Sequence, residues 1–221
     1  DGSYYCNKIG VASRHYKYDA QGAITECRAL NLAGKPILNE YLWATAVSKI
    51  DSHGNIIQEE YYGVDGKPCI VSVGIAKITY QFDDFGNVVE QAYYGTDGSP
   101  CFDMYGKAKT VCQYNNRGYK IECAFYGVDG KLCLHNDGYA KYVLRYDDRG
   151  NEVECAFYGI DDKLCLSEHG YAKETFQYDE RGNVIERAYY GLDGKPCLNK
   201  LSFAKSVLQY DDCGNMIEHV F

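Results

Sequence analysis

The chain has 221 residues, 46% of them hydrophobic, 24% charged and 14% aromatic, a composition that buries a core and excludes a disordered polymer. Its formal net charge of -8 repels a phosphate backbone, and with no dense cluster of Lys and Arg to offset this, nucleic acid is excluded as a partner. No apolar run reaches the roughly 18 residues of a membrane helix, so no transmembrane segment is expected.

The chain opens on "DGSYYCNKIG", without Met, a basic n-region or an apolar h-region, and is expected to be a mature or excised fragment. Gly22, Gly54, Gly86, Gly118, Gly150, Gly182 and Gly214 then follow at a constant spacing of 32 residues. This spacing predicts one repeat array over residues 1–221, with about six units, a partial seventh and no second domain. The consensus unit is A-K-x-x-x-x-Y-D-x-x-G-N-x-x-E-x-A-Y-Y-G-x-D-G-K-P-C-L followed by five linking residues.

Within a unit, "AKITYQFDD" opens a strand with Ala76, Ile78, Tyr80 and Phe82 on one face and Lys77, Thr79 and Gln81 on the other. The D-x-x-G-N signal follows, with Asp placed to close an Asx turn and Gly to take a left-handed backbone. "NVVEQAYY" makes the returning strand. Pairing Phe82 with Asn87 sets Tyr80 beside Val89 and Ala76 beside Tyr93, and leaves Lys77, Thr79, Gln81 and Glu90 on a common polar face. The second signal, G-x-D-G-K-P, combines an Asp-Gly turn with a proline that starts a short third strand, "KPCL". The expected fold is therefore all-β: an elongated, solenoid-like tandem array of stacked antiparallel β-hairpins.

A lone hairpin is marginal in water, so each unit must stack on its neighbours, and the ends should be atypical. The first unit fits this, with Ala29, Leu30, Asn31 and Ile37 in place of the aromatics, glycine and cysteine of later copies. At the other end the chain stops at Phe221, mid-unit; this predicts an exposed strand edge, completed by further repeats, covered by a partner, or used for end-to-end association.

Cys69, Cys101, Cys133, Cys165 and Cys197 share one slot, Cys27, Cys123 and Cys155 a second, and Cys6, Cys112 and Cys213 stand alone. Equivalent residues of successive hairpins lie about 10 Å apart, too far for a disulfide, so the repeated cysteines are expected to be small buried hydrophobes with free thiols. Free thiols point to a cytoplasmic or anaerobic setting. No C-x-x-C supports zinc.

Catalytic chemistry is scarce. His15, His53, His135, His169 and His219 fall at five different repeat positions without a nucleophile at recognisable spacing. Glu26, Glu90, Glu122, Glu154, Glu186 and Glu218 share a slot, with Gln58 once, and read as partners of Lys77, Lys109, Lys141, Lys173 and Lys205. The acidic pairs Asp83-Asp84, Asp147-Asp148, Asp179-Glu180 and Asp211-Asp212 read as turn chemistry, because they lack the alternating ligands of a calcium loop. Neither metal nor cofactor is expected. What is distinctive is tyrosine, with 23 copies against the single Trp43. Tyr62, Tyr94, Tyr126, Tyr158 and Tyr190 lie on the polar face, where they either bridge neighbouring hairpins or present a row of ligand-binding rings to protein or glycan.

Tyr146-Asp147 with Gly150-Asn151, and Tyr178-Asp179 with Gly182-Asn183, resemble the YD repeats of bacterial RHS-type proteins. That resemblance implies β-hairpin shells acting in toxin encapsulation and cell-surface contact, hence a surface or secreted setting. It covers the first turn of each unit; the G-x-D-G-K-P-C half and the strict spacing lie outside it. "YYGVDGK" at 61–67 is similar to the hairpin repeats of bacterial cell-wall-binding and clostridial toxin modules, which implies glycan or choline binding, although those cages use tryptophan. The reading as a whole is a non-enzymatic repeat module for protein–protein interaction, adhesion or spacing within a larger bacterial protein, with a carbohydrate or cell-wall-binding module as the alternative.

Overall fold

Three five-residue turns bend each repeat, and they share one chemistry. In the first, Asp83 Oδ1 accepts the N–H groups of Phe85 (3.0 Å) and Asn87 (2.8 Å), while Asn87 Nδ2 donates to Oδ2 at 2.9 Å. Gly86 closes it with φ 84°, a backbone region costly for any residue with a Cβ. The second runs from Gly95 to Ser99, whose N–H donates to Asp97 Oδ1 at 2.9 Å. The third lies in the five linking residues, where Asp103 Oδ1 accepts from the N–H of Tyr105 (3.0 Å) and Lys107 (3.2 Å). Sequence patterning does not show this last turn, because its first position holds Asn39, Val71, Asp103, His135, Ser167 and Asn199 in successive copies.

The computed structural model describes residues 7–221. It is all-β, a tandem repeat of antiparallel hairpins in which consecutive strands pair in chain order. Two compact units can be distinguished: residues up to Thr110 with Gly127–Asp129, and Val111–Tyr126 with Gly130–Phe221. The first holds β1 (Ser13–Tyr18), β2 (Ile24–Leu30), β3 (Thr45–Ile50), β4 (Ile56–Tyr62), β5 (Lys77–Phe82) and β6 (Val88–Tyr94). The chain passes from one unit to the other in β7 (Lys109–Tyr114). The second unit holds β8 (Lys120–Tyr126), β9 (Lys141–Tyr146), β10 (Glu152–Tyr158), β11 (Lys173–Tyr178), β12 (Val184–Tyr190), β13 (Lys205–Tyr210) and β14 (Met216–Val220).

The expected hairpins and faces are present, but the register differs. Tyr80 opposes Gln91 and Ile78 opposes Tyr93, not Val89 and Gln91, because a bulge beside the first turn shifts the pairing between Gln81 and Phe82. The shift preserves which residues share a face and changes which residues touch. The third strand is also corrected: "KPCL" contributes only single bridges such as Tyr62 to Pro68 and Tyr94 to Pro100, since the third turn begins immediately afterwards.

Successive hairpins meet at the repeated alanine. Ala76 N–H donates to the Tyr94 carbonyl (2.8 Å) and its carbonyl accepts from Tyr61 (2.9 Å); Ala140 and Ala172 do the same in the second unit. Ala44, Ala140 and Ala172 are fully buried, as this close backbone approach requires.

The two cores differ. In the first unit Val71, Ile75, Ile78 and Tyr93 pack with Trp43, Tyr61 and Tyr80. In the second, rings form a ladder in which each third-turn ring leans on a ring of the next returning segment: Tyr139 on Phe157 in β10, Tyr171 on Tyr189 in β12 and Phe203 on Phe221 just past β14, each pair with centroids 4.6 Å apart. The linking contacts, Phe125 to Tyr139 and Phe157 to Tyr171 at 5.9 Å and Tyr189 to Phe203 at 5.8 Å, complete it.

Candidate functional site

The polar face is a belt whose charges answer one another. Four of the repeated glutamates take the lysine of the following hairpin: Lys109 to Glu90 at 3.2 Å, Lys141 to Glu122 at 3.6 Å, Lys173 to Glu154 at 3.1 Å and Lys205 to Glu186 at 2.6 Å, whereas Glu26 pairs with Lys17 of its own hairpin at 2.9 Å. Where Gln58 replaces the glutamate, Lys77 turns to Glu60 at 3.8 Å, in a slot that later copies fill with alanine. Within its own hairpin Glu90 also accepts from Gln81 at 3.1 Å, and Glu186 from Gln177 at 3.4 Å.

The candidate tyrosines are half-buried on this belt. Tyr94 opposes Lys77, whose ammonium lies 5.1 Å from the ring centroid; Lys141 lies over Tyr158 at 5.0 Å and Lys173 over Tyr190 at 5.1 Å. Tyr126 bridges to Leu132. Tyr62 opposes Thr45 and instead donates its hydroxyl to Glu60 at 2.6 Å, which pushes the phenol up to about 12. Beside it, Glu60, Tyr61, Tyr62, Pro68, Lys77 and Thr96 help line a cleft of about 130 Å³.

The repeated cysteine has a definite partner. The thiol donates to the carbonyl of the left-handed residue in the preceding repeat's third turn: Cys69 to Leu42 at 3.6 Å, Cys101 to Gly74 at 3.9 Å, and Cys165 to Gly138 and Cys197 to Gly170 at 3.8 Å. Burial raises these thiols above their ordinary range, and each ties one repeat to the one before it. The expectation of free thiols throughout is corrected at one hairpin, where Cys112 and Cys123 are joined by a disulfide, their Cα atoms 4.1 Å apart. These two are not slot-mates: they occupy the positions of Leu144 and Cys155, which oppose each other across β9 and β10 in the bulged register. Cys6 lies outside the described residues; Cys27, Cys69, Cys101, Cys133, Cys155, Cys165, Cys197 and Cys213 are free.

The turn acids are spoken for. Asp83, Asp147, Asp179 and Asp211 each accept from the Asn four residues on, which holds their carboxyls below the ordinary range. In the second unit the next residue offers its carbonyl to an arginine of the preceding turn: Arg117 to Asp148 at 2.8 Å, Arg149 to Glu180 at 3.3 Å and Arg181 to Asp212 at 2.6 Å. Among the described residues no three His, Cys, Asp or Glu side chains converge as a metal site. The histidines stay apart: His135 stacks on Phe125 at 5.0 Å, His169 lies 6.2 Å from Tyr171, and His219 packs on Phe221 at 4.1 Å.

Two charged clusters break the repeat on its buried side, and sequence reading missed both. Lys107 pairs with Asp103 at 2.6 Å beneath Tyr93 and Tyr105, where other copies carry an apolar residue. In the second unit Arg187 holds buried Glu174 at 2.6 Å; burial and the Glu174 charge raise the neighbouring Glu152 carboxyl. The first begins with a lysine in a slot that is otherwise apolar, and that mismatch was the available signal; the second gave none, because Arg14, Glu59 and Lys120 already place charges in the slots of Glu174, Arg187 and Glu152.

No family model matches the chain, and a search of curated proteins returns no match. It resembles the crystal structure of TcdB2-TccC3-TEV with TM-score 0.46 and 15% identity over 96% of this chain and 11% of that one. The Tc holotoxin pore of Photorhabdus luminescens matches with TM-score 0.35 and 10% identity, over 93% of this chain and 13% of that one. A porin-like protein from Bacteroides uniformis matches with TM-score 0.29 and 12% identity, over 94% and 86% of the two chains. The chain thus spans about a tenth of the length of the first of these, 11%.

Proposed function

We propose that the chain is a non-enzymatic repeat module that serves protein–protein contact, adhesion or spacing within a larger bacterial protein. The observation that carries this reading is the belt: its Glu, Lys and Tyr side chains are engaged by one another in repeat after repeat, which suits a scaffold. The likeness of its first turn to YD repeats fits a surface or secreted setting, and a buried disulfide is chemistry that an oxidising compartment sustains.

The carbohydrate-binding alternative draws on the cleft beside Tyr62, where a ring, a carboxylate and an ammonium share one small cavity. Thermal melts with choline and with cell-wall glycan fragments separate the two. On the scaffold reading neither ligand moves the midpoint, and replacing Tyr94, Tyr158 and Tyr190 with alanine lowers it equally with and without ligand. A ligand-dependent rise that Tyr62→Ala abolishes would overturn the scaffold reading in favour of the alternative.

A further inference from the structure

The β7–β8 hairpin combines two features found together in none of its sisters; the first, loss of the turn asparagine, it shares only with the terminal β1–β2 hairpin, which has Ala23 there. At its first turn Tyr119 stands where the second, third, fifth, sixth and seventh turns carry Asn55, Asn87, Asn151, Asn183 and Asn215. Those amides each donate to an Asp Oδ2, as Asn151 does to Asp147 at 2.9 Å; here the Asp slot holds Asn115, which has no Oδ2, and the Tyr119 ring stacks on Tyr146 at 5.0 Å instead. Asn115 keeps the backbone part of the turn, accepting from Arg117 and Tyr119 N–H at 3.0 Å. The second difference is at the facing pair inside the hairpin, which holds Tyr16 and Cys27, Ser48 and Glu59, Tyr80 and Gln91, Leu144 and Cys155, Phe176 and Arg187, or Leu208 and His219 in the other copies. Only here are both residues cysteine, and both are buried, Cys123 at 1% exposure.

We propose that the Cys112–Cys123 bond is a redox-sensitive clasp that holds this one hairpin in register in place of the missing turn bond, so that reduction loosens β7–β8 and leaves the sister hairpins closed. Closing the clasp removes one hydrogen from each thiol and delivers two electrons to a disulfide-donating oxidant; opening it returns them from an external dithiol. Because both sulfurs are buried, the reductant reaches them when the hairpin opens locally, which makes reduction slow in the folded protein. The ring closed by the bond is short, with partners separated by 11 residues, so its removal favours local opening by roughly a hundredfold.

The test is thiol counting and hydrogen exchange on the full chain. In denaturant, two fewer thiols should react without reductant than after reduction. Amide exchange over 109–126 should then rise roughly a hundredfold on reduction, while exchange over 141–158, the sister hairpin with Leu144 facing Cys155, stays unchanged. Equal thiol counts, unchanged exchange over 109–126, or a uniform rise along the chain would each overturn the proposal. A Cys112→Val/Cys123→Val chain, apolar and unable to form the bond, should lose all response to reductant at 109–126; a response that persists there also overturns it.

Discussion

The two compact units are built from the same repeat and hold their cores by different means. The second stacks aromatic rings from its third turns and strands into an unbroken ladder and adds a staircase of arginines over its first turns. The first fills the same third-turn slots with Val11, Trp43, Ile75 and Lys107, and its turns carry Gln21, His53 and Phe85 where the second has Arg117, Arg149, Arg181 and, last, Cys213. One backbone thus accepts a continuous aromatic stack or a patchwork of aliphatic, aromatic and ionic contacts. What it does not relax is the alanine at each junction.

The largest test of that contrast is a truncation in each core. Phe157→Ala breaks the ladder at a buried rung and should cost about 3–5 kcal/mol by chemical denaturation, whereas Tyr61→Ala, half-buried with its Trp43 contact at 6.5 Å, should cost clearly less. Equal losses would mean that the ladder adds nothing beyond buried area. Next comes the ionic exception. Lys107→Tyr alone strands the buried Asp103 carboxylate and should destabilise by about 3 kcal/mol, while adding Asp103→Ser recreates the Ser167 and Tyr171 arrangement of the second unit and should recover most of it. Failure of the second change to rescue the first would show that the units are not interchangeable at this slot.

A smaller gain is expected where both units break the same backbone rule. Leu42 and Ser202 hold φ of 70° and 68° in third turns whose equivalents are Gly74, Gly106, Gly138 and Gly170. Leu42→Gly and Ser202→Gly should each stabilise by about 1 kcal/mol.

The smallest effect is one of pH and belongs to the second unit. The Glu152 carboxyl is raised in the folded chain, so its contribution is favourable below its unfolded value near 4.5 and is lost as pH rises through the folded one. Glu152→Gln should therefore raise the melting midpoint at pH 7 and leave it unchanged at pH 3. The lowered turn carboxyls work in the opposite sense, stabilising above the ordinary Asp range and failing as pH falls through their folded values.

Much of the architecture could be read from residues alone because glycine and aspartate announce the first two turns at fixed intervals, and strand alternation assigns both faces. The register could not, because the bulge beside Phe82 depends on turn geometry that no side chain advertises. From that single shift came the missed disulfide: in the expected pairing Cys112 opposes Ile121, two residues from its partner. The third turn was hidden for another reason. Its opening residue varies from Asn to Val to His, since backbone bonds form it even where no side chain assists. The lysine and glutamate pairing was legible because opposite charges recur at one spacing. That lysines would also cap the candidate tyrosines was not, since the register sets which ring lies beneath which ammonium.

The thiol that reaches back to the previous repeat's carbonyl makes the cysteine-bearing copies, all but the first, both lock and key. Excising or duplicating any 32-residue block, cut at the same phase on both sides, rejoins a matching thiol and carbonyl and heals the seam. Cuts of any other length leave a key without its lock, so such a chain can grow or shrink only in whole steps.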